Sequence, residues 1–124
     1  MFINIEYRKE DEEKCLSTIK LALQVLGGKW SFLVLAQLYI RPRRFNQLRR
    51  ELGDINTKSL TDTLRHLEQN AIIQRRVFPT VPVTVEYSLT EKGRDFQAVL
   101  LEMYNWGHKW EAEQDREDQS RASL

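Results

Sequence analysis

The sequence predicts an α+β fold, mainly α, in which two short helices are followed directly by a β-hairpin. Apolar residues recur at helical spacing over Phe45–Leu52 and again over Leu60–Leu67. The turn Gly53–Asn56 separates these segments, and residues 83–89 alternate between apolar and polar side chains. Two short helices joined by a tight turn form a helix-turn-helix, and a two-stranded hairpin after the second helix is a wing. The predicted architecture is therefore a winged helix-turn-helix.

Two further helices are predicted before this motif. Apolar residues at helical spacing indicate a first helix over about residues 12–26. Gly27 and Gly28 end this helix, because glycine accepts the left-handed geometry of a helix terminus. A second helix begins near Trp30 and is apolar nearly all round, which predicts that it is the central and most buried helix.

Asn56 and two segments rich in β-forming residues define the second half of the motif. The Asn56 side chain is predicted to cap the fourth helix, since its oxygen can accept from the free N–H groups of the first turn. The wing strands are predicted at Ile72–Phe78 and Val83–Leu89. Two prolines between these segments impose a turn, because proline cannot donate to a regular strand ladder.

The C-terminal part is predicted to be one helix followed by a tail. Thr90 is expected to cap a helix over about residues 91–112, and residues 113–124 are expected to be a flexible acidic tail. Because no linker is long enough to divide the chain, residues 1–124 are expected to form one domain, with the helix-turn-helix and wing at residues 43–90.

Charge is unevenly distributed along the chain. Residues 1–15 carry a net charge of −2 and residues 111–124 a net charge of −3, whereas residues 29–76 carry ten basic and four acidic side chains, a net charge of +6. A basic middle between acidic ends is typical of a localised surface for a polyanion. The alternative, that the arginines only solvate helix faces, stays open on charge alone.

Several function classes find no support in the sequence. No apolar run approaches the roughly 20 residues that cross a bilayer, so no membrane partner is expected. A single cysteine cannot form an intrachain disulfide, which indicates a cytoplasmic protein. The two histidines, His66 and His108, are far apart, and no metal-ligand cluster, nucleotide-binding loop or nucleophile motif is present. We therefore expect neither an enzyme nor a metal or other cofactor.

The helix over Asn56–Gln69 is predicted to read DNA bases. Its leucines fix the buried side, and a recognition helix enters the major groove by its N-terminal end. Lysine and arginine suit guanine acceptors, and aspartate can accept from a cytosine amino group. Asp62 can equally hold Arg65 or Lys58 in place on the same helix face. The predicted base-reading residues are Lys58, Ser59, Thr61, Asp62 and Arg65.

A second set of basic residues is predicted to contact phosphates. The first helix of a helix-turn-helix crosses the DNA backbone, where arginine supplies affinity without sequence choice. Arg75 and Arg76 are neighbours on the first wing strand, and one of the two must point outward because side chains alternate along a strand. The set comprises Arg43, Arg44, Arg49, Arg50, Arg75 and Arg76.

The sequence resembles the HxlR-type family of transcriptional regulators over roughly residues 15–110. The motifs that carry the resemblance are Leu26-Gly27-Gly28-Lys29-Trp30, Arg43-Arg44-Phe45-Asn46-Gln47-Leu48-Arg49-Arg50, Lys58-Ser59-Leu60-Thr61, Phe78-Pro79-Thr80-Val81-Pro82 and Val85-Glu86-Tyr87-Ser88-Leu89-Thr90-Glu91-Lys92-Gly93. The resemblance implies a homodimeric regulator that binds double-stranded DNA at an inverted repeat, with the terminal helices at the dimer interface.

The residues of the terminal helices agree with a dimer. The last helix carries more apolar surface than a monomer of this length needs to cover, although packing on the chain's own first helix is an alternative. The predicted interface residues are Leu23, Leu100, Met103, Trp106 and Trp110.

Cys15 is a candidate redox sensor. Many members of the family have a cysteine followed by proline, closer to the Gly-Gly-Lys-Trp segment, and some use it to sense oxidants or electrophiles. Here Leu16 follows Cys15 and the spacing is longer, so an inert thiol is favoured. The sequence leaves the small-molecule effector unknown, and a winged helix that binds only proteins stays an alternative to DNA binding.

Overall fold

The structure is a computed structural model that describes residues 9–122, so the ends of the predicted domain, residues 1–8 and 123–124, lie outside the described range. Six helices and three strands occur within these residues. Their bounds are α1 Lys9–Leu26, α2 Lys29–Ile40, β1 Arg43–Arg44, α3 Phe45–Leu52, α4 Thr57–Gln69, β2 Ile73–Phe78, β3 Thr84–Leu89, α5 Glu91–Asp95 and α6 Gln97–Ala122. The predicted fold class, α+β and mainly α with a winged helix-turn-helix, is confirmed.

Helix α2 lies at the centre of the core, as predicted from its apolar composition. Its residues Val34, Leu35 and Leu38 are buried, and both α3 and α4 pack against it. Leu48 of α3 and the leucines of α4 complete the same apolar cluster. Burial of a leucine side chain contributes about 1.5–3 kcal/mol, so this cluster holds α3 and α4 against α2.

The wing belongs to a three-stranded sheet, whereas the sequence predicted only two strands. The strand order is β1-β3-β2, and both pairings are antiparallel. β1 pairs Arg43 with Tyr87 and Arg44 with Glu86. The predicted extended link therefore finds backbone hydrogen-bond partners along β3, which anchors the base of the wing to the start of α3.

The terminal helices differ from the predicted ones in three ways. α1 begins at Lys9 rather than near residue 12, and Glu10 and Asp11 favour this earlier start because they lie at the positive end of the helix dipole. The predicted helix over residues 91–112 is divided at Phe96, whose backbone N–H turns back to the Gly93 carbonyl at 3.3 Å. Its ring packs against Phe32, with the ring centroids 5.8 Å apart.

The third difference is that α6 continues to Ala122, so the predicted flexible tail is helical over residues 113–122. Side-chain pairs at helical spacing support this extension. Arg116 lies 3.5 Å from Glu113, and the Gln114 amide donates to Asp118 at 3.2 Å. These side-chain pairs, each one turn apart, favour a helix over residues 113–122, for which polarity alone predicts a flexible tail.

Helix α5 lies very close to the start of β2. A Cβ atom added to Gly93 would lie 2.1 Å from the Ile72 carbonyl oxygen, so only glycine fits there. The Tyr39 hydroxyl of α2 donates to the Gly93 carbonyl. Burial and the nearby Asp95 carboxylate raise the pKa of Tyr39 to about 12, so this hydroxyl keeps its proton and can donate well into the alkaline range. Helices α2 and α5 are joined in this way.

Helices α1 and α6 extend from the core with most of their apolar side chains exposed. Leu26 is the one fully buried residue among those of α1, and none of the residues of α6 is fully buried. The exposed large apolar side chains on α1 and α6 are Leu16, Ile19, Leu21, Leu23, Val99, Leu101, Met103, Tyr104, Trp106 and Trp110.

Within residues 9–122, no single helix is both long and apolar enough to cross a bilayer. Helices α1 and α2 satisfy that test only together, with a bend of 71° between them.

Candidate nucleic-acid interface

Helix α4 begins as the sequence predicts. The Asn56 side-chain oxygen accepts a hydrogen bond from the backbone N–H of Ser59 at 2.8 Å. Asn56 itself has extended backbone angles, φ −81° and ψ 162°, as an N-cap residue requires. The first turn of α4 therefore begins at Thr57, and the N–H groups of Thr57 and Lys58 have no carbonyl partner within the helix.

The buried leucines determine the free face of α4. Leu60, Leu64 and Leu67 are all buried, as predicted, whereas Lys58 and Asp62 are exposed. Because the helix turns 100° per residue, these polar side chains project away from the leucines. Arg65 is also exposed, whereas Ser59 and Thr61 are half-buried on the flanks of the same face. All five predicted base-reading residues thus lie on or beside one accessible face.

The hydroxyl of Thr61 is oriented by the helix itself. It donates to the Thr57 carbonyl at 2.8 Å, so its proton is used within the helix. Its oxygen keeps lone pairs that can accept a hydrogen bond, and its methyl group can contact another apolar group. Thr61 is therefore suited to accepting from a base amino group or to touching a thymine methyl group.

A basic cleft lies beside the N-terminus of α4. Its volume is about 440 Å³, and it is lined by Arg49, Arg50, Gly53, Ile55, Asn56 and Thr57. Both arginines are exposed, and an Arg49 Nη1 donates to the Thr57 hydroxyl at 3.5 Å. Guanidinium groups beside a helix N-terminus form a surface that is complementary to a phosphate group.

Thr57 is a residue of this cleft that the sequence analysis missed. Its position directly after the Asn56 cap could have identified it, because the first residues of a helix present free N–H groups to an anion. The side-chain contact with Arg49 joins α3 to α4, and spacing within one helix does not predict such a contact.

The sheet sorts the remaining arginines onto two faces. Arg44 and Arg76 both lie opposite Glu86, so the three side chains share one face of the sheet. Arg75 lies opposite Tyr87 on the other face, which is the face of the buried Ile73. The Arg76 guanidinium lies 5.2 Å from the centre of the Phe78 ring, and this contact orients it. Arg44, Arg75 and Arg76 are all exposed.

Arg43 does not fit the phosphate contact that the sequence predicted for it. Its side chain is only 5% exposed, and its guanidinium donates to the Gln37 side chain at 3.2 Å. A carboxylate oxygen of Glu51 lies 3.9 Å from the same guanidinium. Arg43 shares the core-facing side of the sheet with Tyr87, because the β1–β3 register turns it inward. We therefore assign it a structural role that joins β1, α2 and α3.

The residues predicted for the dimer interface lie on the terminal helices. Leu23 on α1 and Met103, Trp106 and Trp110 on α6 are exposed. Leu100 is half-buried and packs against the core.

Cys15 lies on α1 and is half-buried. Within residues 9–122 no group of three or more His, Cys, Asp or Glu side chains could hold a metal ion.

Comparison with known proteins agrees with this geometry. The HxlR-like helix-turn-helix family matches residues 25–115. This chain belongs to that family. The uncharacterised HTH-type transcriptional regulator YdeP of Bacillus subtilis (strain 168) is 38% identical over 119 residues, which are 96% of this chain and 91% of YdeP. The chain is thus a transcriptional regulator of the winged helix-turn-helix type.

Solved structures of two relatives share the fold. The redox regulator HypR in its oxidised form has a TM-score of 0.71 and 39% sequence identity, over 74% of this chain and 95% of that one. The reduced form of the transcriptional regulator YodB from B. subtilis has a TM-score of 0.65 and 40% identity, over 72% of this chain and 87% of that one. The winged helix-turn-helix is therefore shared with the redox regulator HypR and with the transcriptional regulator YodB.

The adjacent arginines of β1 give a direct test of the structural role of Arg43. Arg43→Ala removes a buried guanidinium and leaves Gln37 without its partner, so we expect it to lower the free energy of unfolding by about 2 kcal/mol. Arg44→Ala, the matched exposed change, should alter it by about 0.5 kcal/mol or less. Chemical denaturation followed by circular dichroism measures both values. Equal effects of the two changes would contradict the assignment.

Proposed function

We propose that this chain is a sequence-specific DNA-binding regulator whose α4 reads base edges in the major groove. The observation that carries the proposal is the division of α4 into a buried leucine side and an exposed polar side. Lys58, at the second position of the helix, and Asp62, one turn later, face away from the core. An α-helix about 10–12 Å across fits the major groove, so this face can approach the base pairs.

The proposed roles of the polar residues follow from their chemistry. Lys58 and Arg65 donate to guanine acceptors, and Asp62 accepts from a cytosine amino group. Ser59, on one flank, donates or accepts, whereas Thr61, whose hydroxyl proton is used within the helix, accepts, and its methyl group can contact thymine. Asp62 lies one turn from both Lys58 and Arg65, so it also restricts where their charged ends can be placed.

Phosphate binding is assigned to the exposed arginines. Arg49 and Arg50 form the cleft beside the α4 N-terminus, where the helix dipole adds to their positive charge. Arg44 and Arg76 share one face of the sheet, and Arg75 lies on the other. These contacts would supply affinity that is independent of sequence and falls with salt concentration. Arg43 is left out because it is buried.

We further propose that the chain binds an inverted repeat as a homodimer through α1 and α6. The support is the large apolar surface of these two helices, which the described part of the chain leaves uncovered. Monomeric soluble proteins rarely expose a contiguous apolar patch larger than a few hundred Å², and a second copy would remove this one from water. A two-fold axis would present two α4 helices to successive major grooves, about 34–36 Å apart.

Oxidant sensing through Cys15 is a second candidate function. It is supported by the similarity to HypR, which is a redox regulator, and by the place of Cys15 on α1. A modification there would act on a helix that we assign to the dimer interface. A Cys15→Ser variant that responds to oxidant in DNA binding as the unchanged protein does would exclude this role.

Substitutions at Lys58 and Arg49 test the assignment of bases and phosphates. The unchanged protein should retard a DNA fragment from its own promoter, with an affinity that falls as salt rises. Lys58→Ala should lower discrimination between specific and random DNA by about 1–3 kcal/mol, since it removes a base contact. Arg49→Ala should weaken both alike and reduce the salt slope by about 1. Titrations over a salt series by fluorescence anisotropy measure these quantities.

Two outcomes would contradict the proposal. If Lys58→Ala and Arg49→Ala weakened specific and random DNA equally, the reading face would be assigned wrongly. If the unchanged protein bound no DNA even at low salt, a winged helix that contacts only proteins would be the better description.

The dimer is tested by placing a charge on α6. Trp106 is 70% exposed, and burying a carboxylate at its position in an interface would be costly. Trp106→Glu should weaken dimerisation by at least about 2 kcal/mol, roughly thirtyfold, in sedimentation equilibrium. Val81→Glu at the wing tip, an apolar position that is even more exposed, is the control and should leave the association constant unchanged. A dimer that persists in Trp106→Glu would place the interface elsewhere.

A further inference from the structure

One side-chain hydrogen bond joins α1 to the reading helix. The His66 Nε2 of α4 lies 3.0 Å from the Gln24 carbonyl oxygen in the last turn of α1. A carbonyl oxygen only accepts, so Nε2 carries the proton and donates. The last four carbonyls of a helix have no partner within it, and the Leu23 carbonyl is satisfied by the Gly27 N–H at 3.0 Å. The next carbonyl of α1, that of Gln24, has no such partner in its own helix and is satisfied by His66 from α4.

Gly27 gives the imidazole its room. It has φ +78°, and a Cβ atom there would lie 3.1 Å from His66 Cδ2 and 2.9 Å from the Ser31 hydroxyl. The ring of His66 thus lies against the backbone where α1 turns into α2. Leu26, next to the turn, is buried in the core. Three contacts therefore fix the direction in which α1 leaves the domain: the buried Leu26, the Gly27 turn and the His66 hydrogen bond.

The direction of α1 has consequences for DNA binding if α1 belongs to the dimer interface. An 18-residue helix is about 27 Å long, so a rotation of about 10° at its C-terminal end moves its far end by about 5 Å. Successive base pairs of DNA are about 3.4 Å apart. A small change at the His66 junction would therefore move one reading helix relative to the other by more than one base-pair step.

We infer that His66 is a positioning residue that sets the spacing between the two half-sites of the operator. It acts by holding α1 against α4, and its ring is half-buried in that junction rather than presented to the bases. The inference rests on the proposed function, since it needs a DNA-binding dimer. It assigns to His66 a role in the geometry of the pair that is separate from affinity for a single half-site.

The test compares one half-site with complete operators of different spacing. The unchanged protein first selects an operator from a random duplex library. Its half-site is then used alone and as inverted repeats with the spacer shortened or lengthened by one and two base pairs. The variants are His66→Leu, which lacks a donor, and His66→Gln, whose amide can still donate. Glu68→Gln, an exposed neighbour on α4, is the matched control. Sedimentation at the assay concentration establishes that each variant is a dimer.

We expect the unchanged protein to lose at least tenfold in affinity when the spacer changes by one base pair. His66→Leu should bind the half-site within twofold of the unchanged protein, but its affinity should fall less than threefold when the spacer changes by one base pair. In His66→Gln most of the tenfold loss should return, and in Glu68→Gln the loss should equal that of the unchanged protein. Gly27→Ala, which disturbs the same junction from α1, should relax the spacing preference as His66→Leu does.

Three results would overturn the inference. The first is an unchanged spacing penalty in His66→Leu, and the second is an equal loss on half-site and complete operator, which indicates a purely structural role. The third is loss of dimerisation by His66→Leu, which would place His66 in the interface itself. If the unchanged protein selects no DNA at all, the proposed function fails and this inference fails with it. Selection of DNA followed by any of the three results rejects the inference alone.

Discussion

Burial of Leu60, Leu64 and Leu67 beneath α2 is the constraint on which the rest of the molecule depends. These side chains hold α4 in one rotation about its own axis, because turning the helix would expose leucine and bury charge. The side left in solvent then carries Lys58 and Asp62. The same packing places the N-terminus of α4 beside Arg49 and Arg50 of α3, so the residues that we propose to read bases lie near those that we propose to bind phosphates.

A second level of organisation joins this motif to the rest of the chain. Pairing of β1 with β3 ties the base of the wing to the start of α3, and the buried Arg43 reinforces that link through Gln37 and Glu51. At the other end of α4, His66 connects the motif to α1. Helix α4 is therefore linked to α1, whose exposed apolar side chains we propose to pack against a second copy. Affinity, specificity and site spacing can then depend on different residues of one small domain.

Much of the fold could be predicted because its signals are local. The spacing of the leucines, the Asn56 cap and the alternating sequence of residues 83–89 each involve residues within a few positions of one another, and the buried leucines, the cap and the strand that they predict are all confirmed. The inward turn of Arg43 could not be found in this way, since it depends on the register between strands more than 40 residues apart. The helical extension of α6 was not predicted from the sequence, because that prediction rested on the polarity of residues 113–124 and not on the ion pair that Glu113 and Arg116 form one turn apart. Thr57 and His66 owe their contacts to neighbouring helices, which periodicity within one helix does not describe.

Chemical protection of operator guanines tests the central claim, that the polar face of α4 lies against base edges in the major groove, more directly than affinity does. Dimethyl sulfate methylates guanine N7, an acceptor that is exposed only in the major groove. With the unchanged protein bound, we expect protection of guanine N7 in two patches about one helical turn apart, and Lys58→Ala should restore reactivity at particular guanines within both. A footprint on the DNA backbone with no protected guanine N7 in a guanine-containing operator would contradict the account.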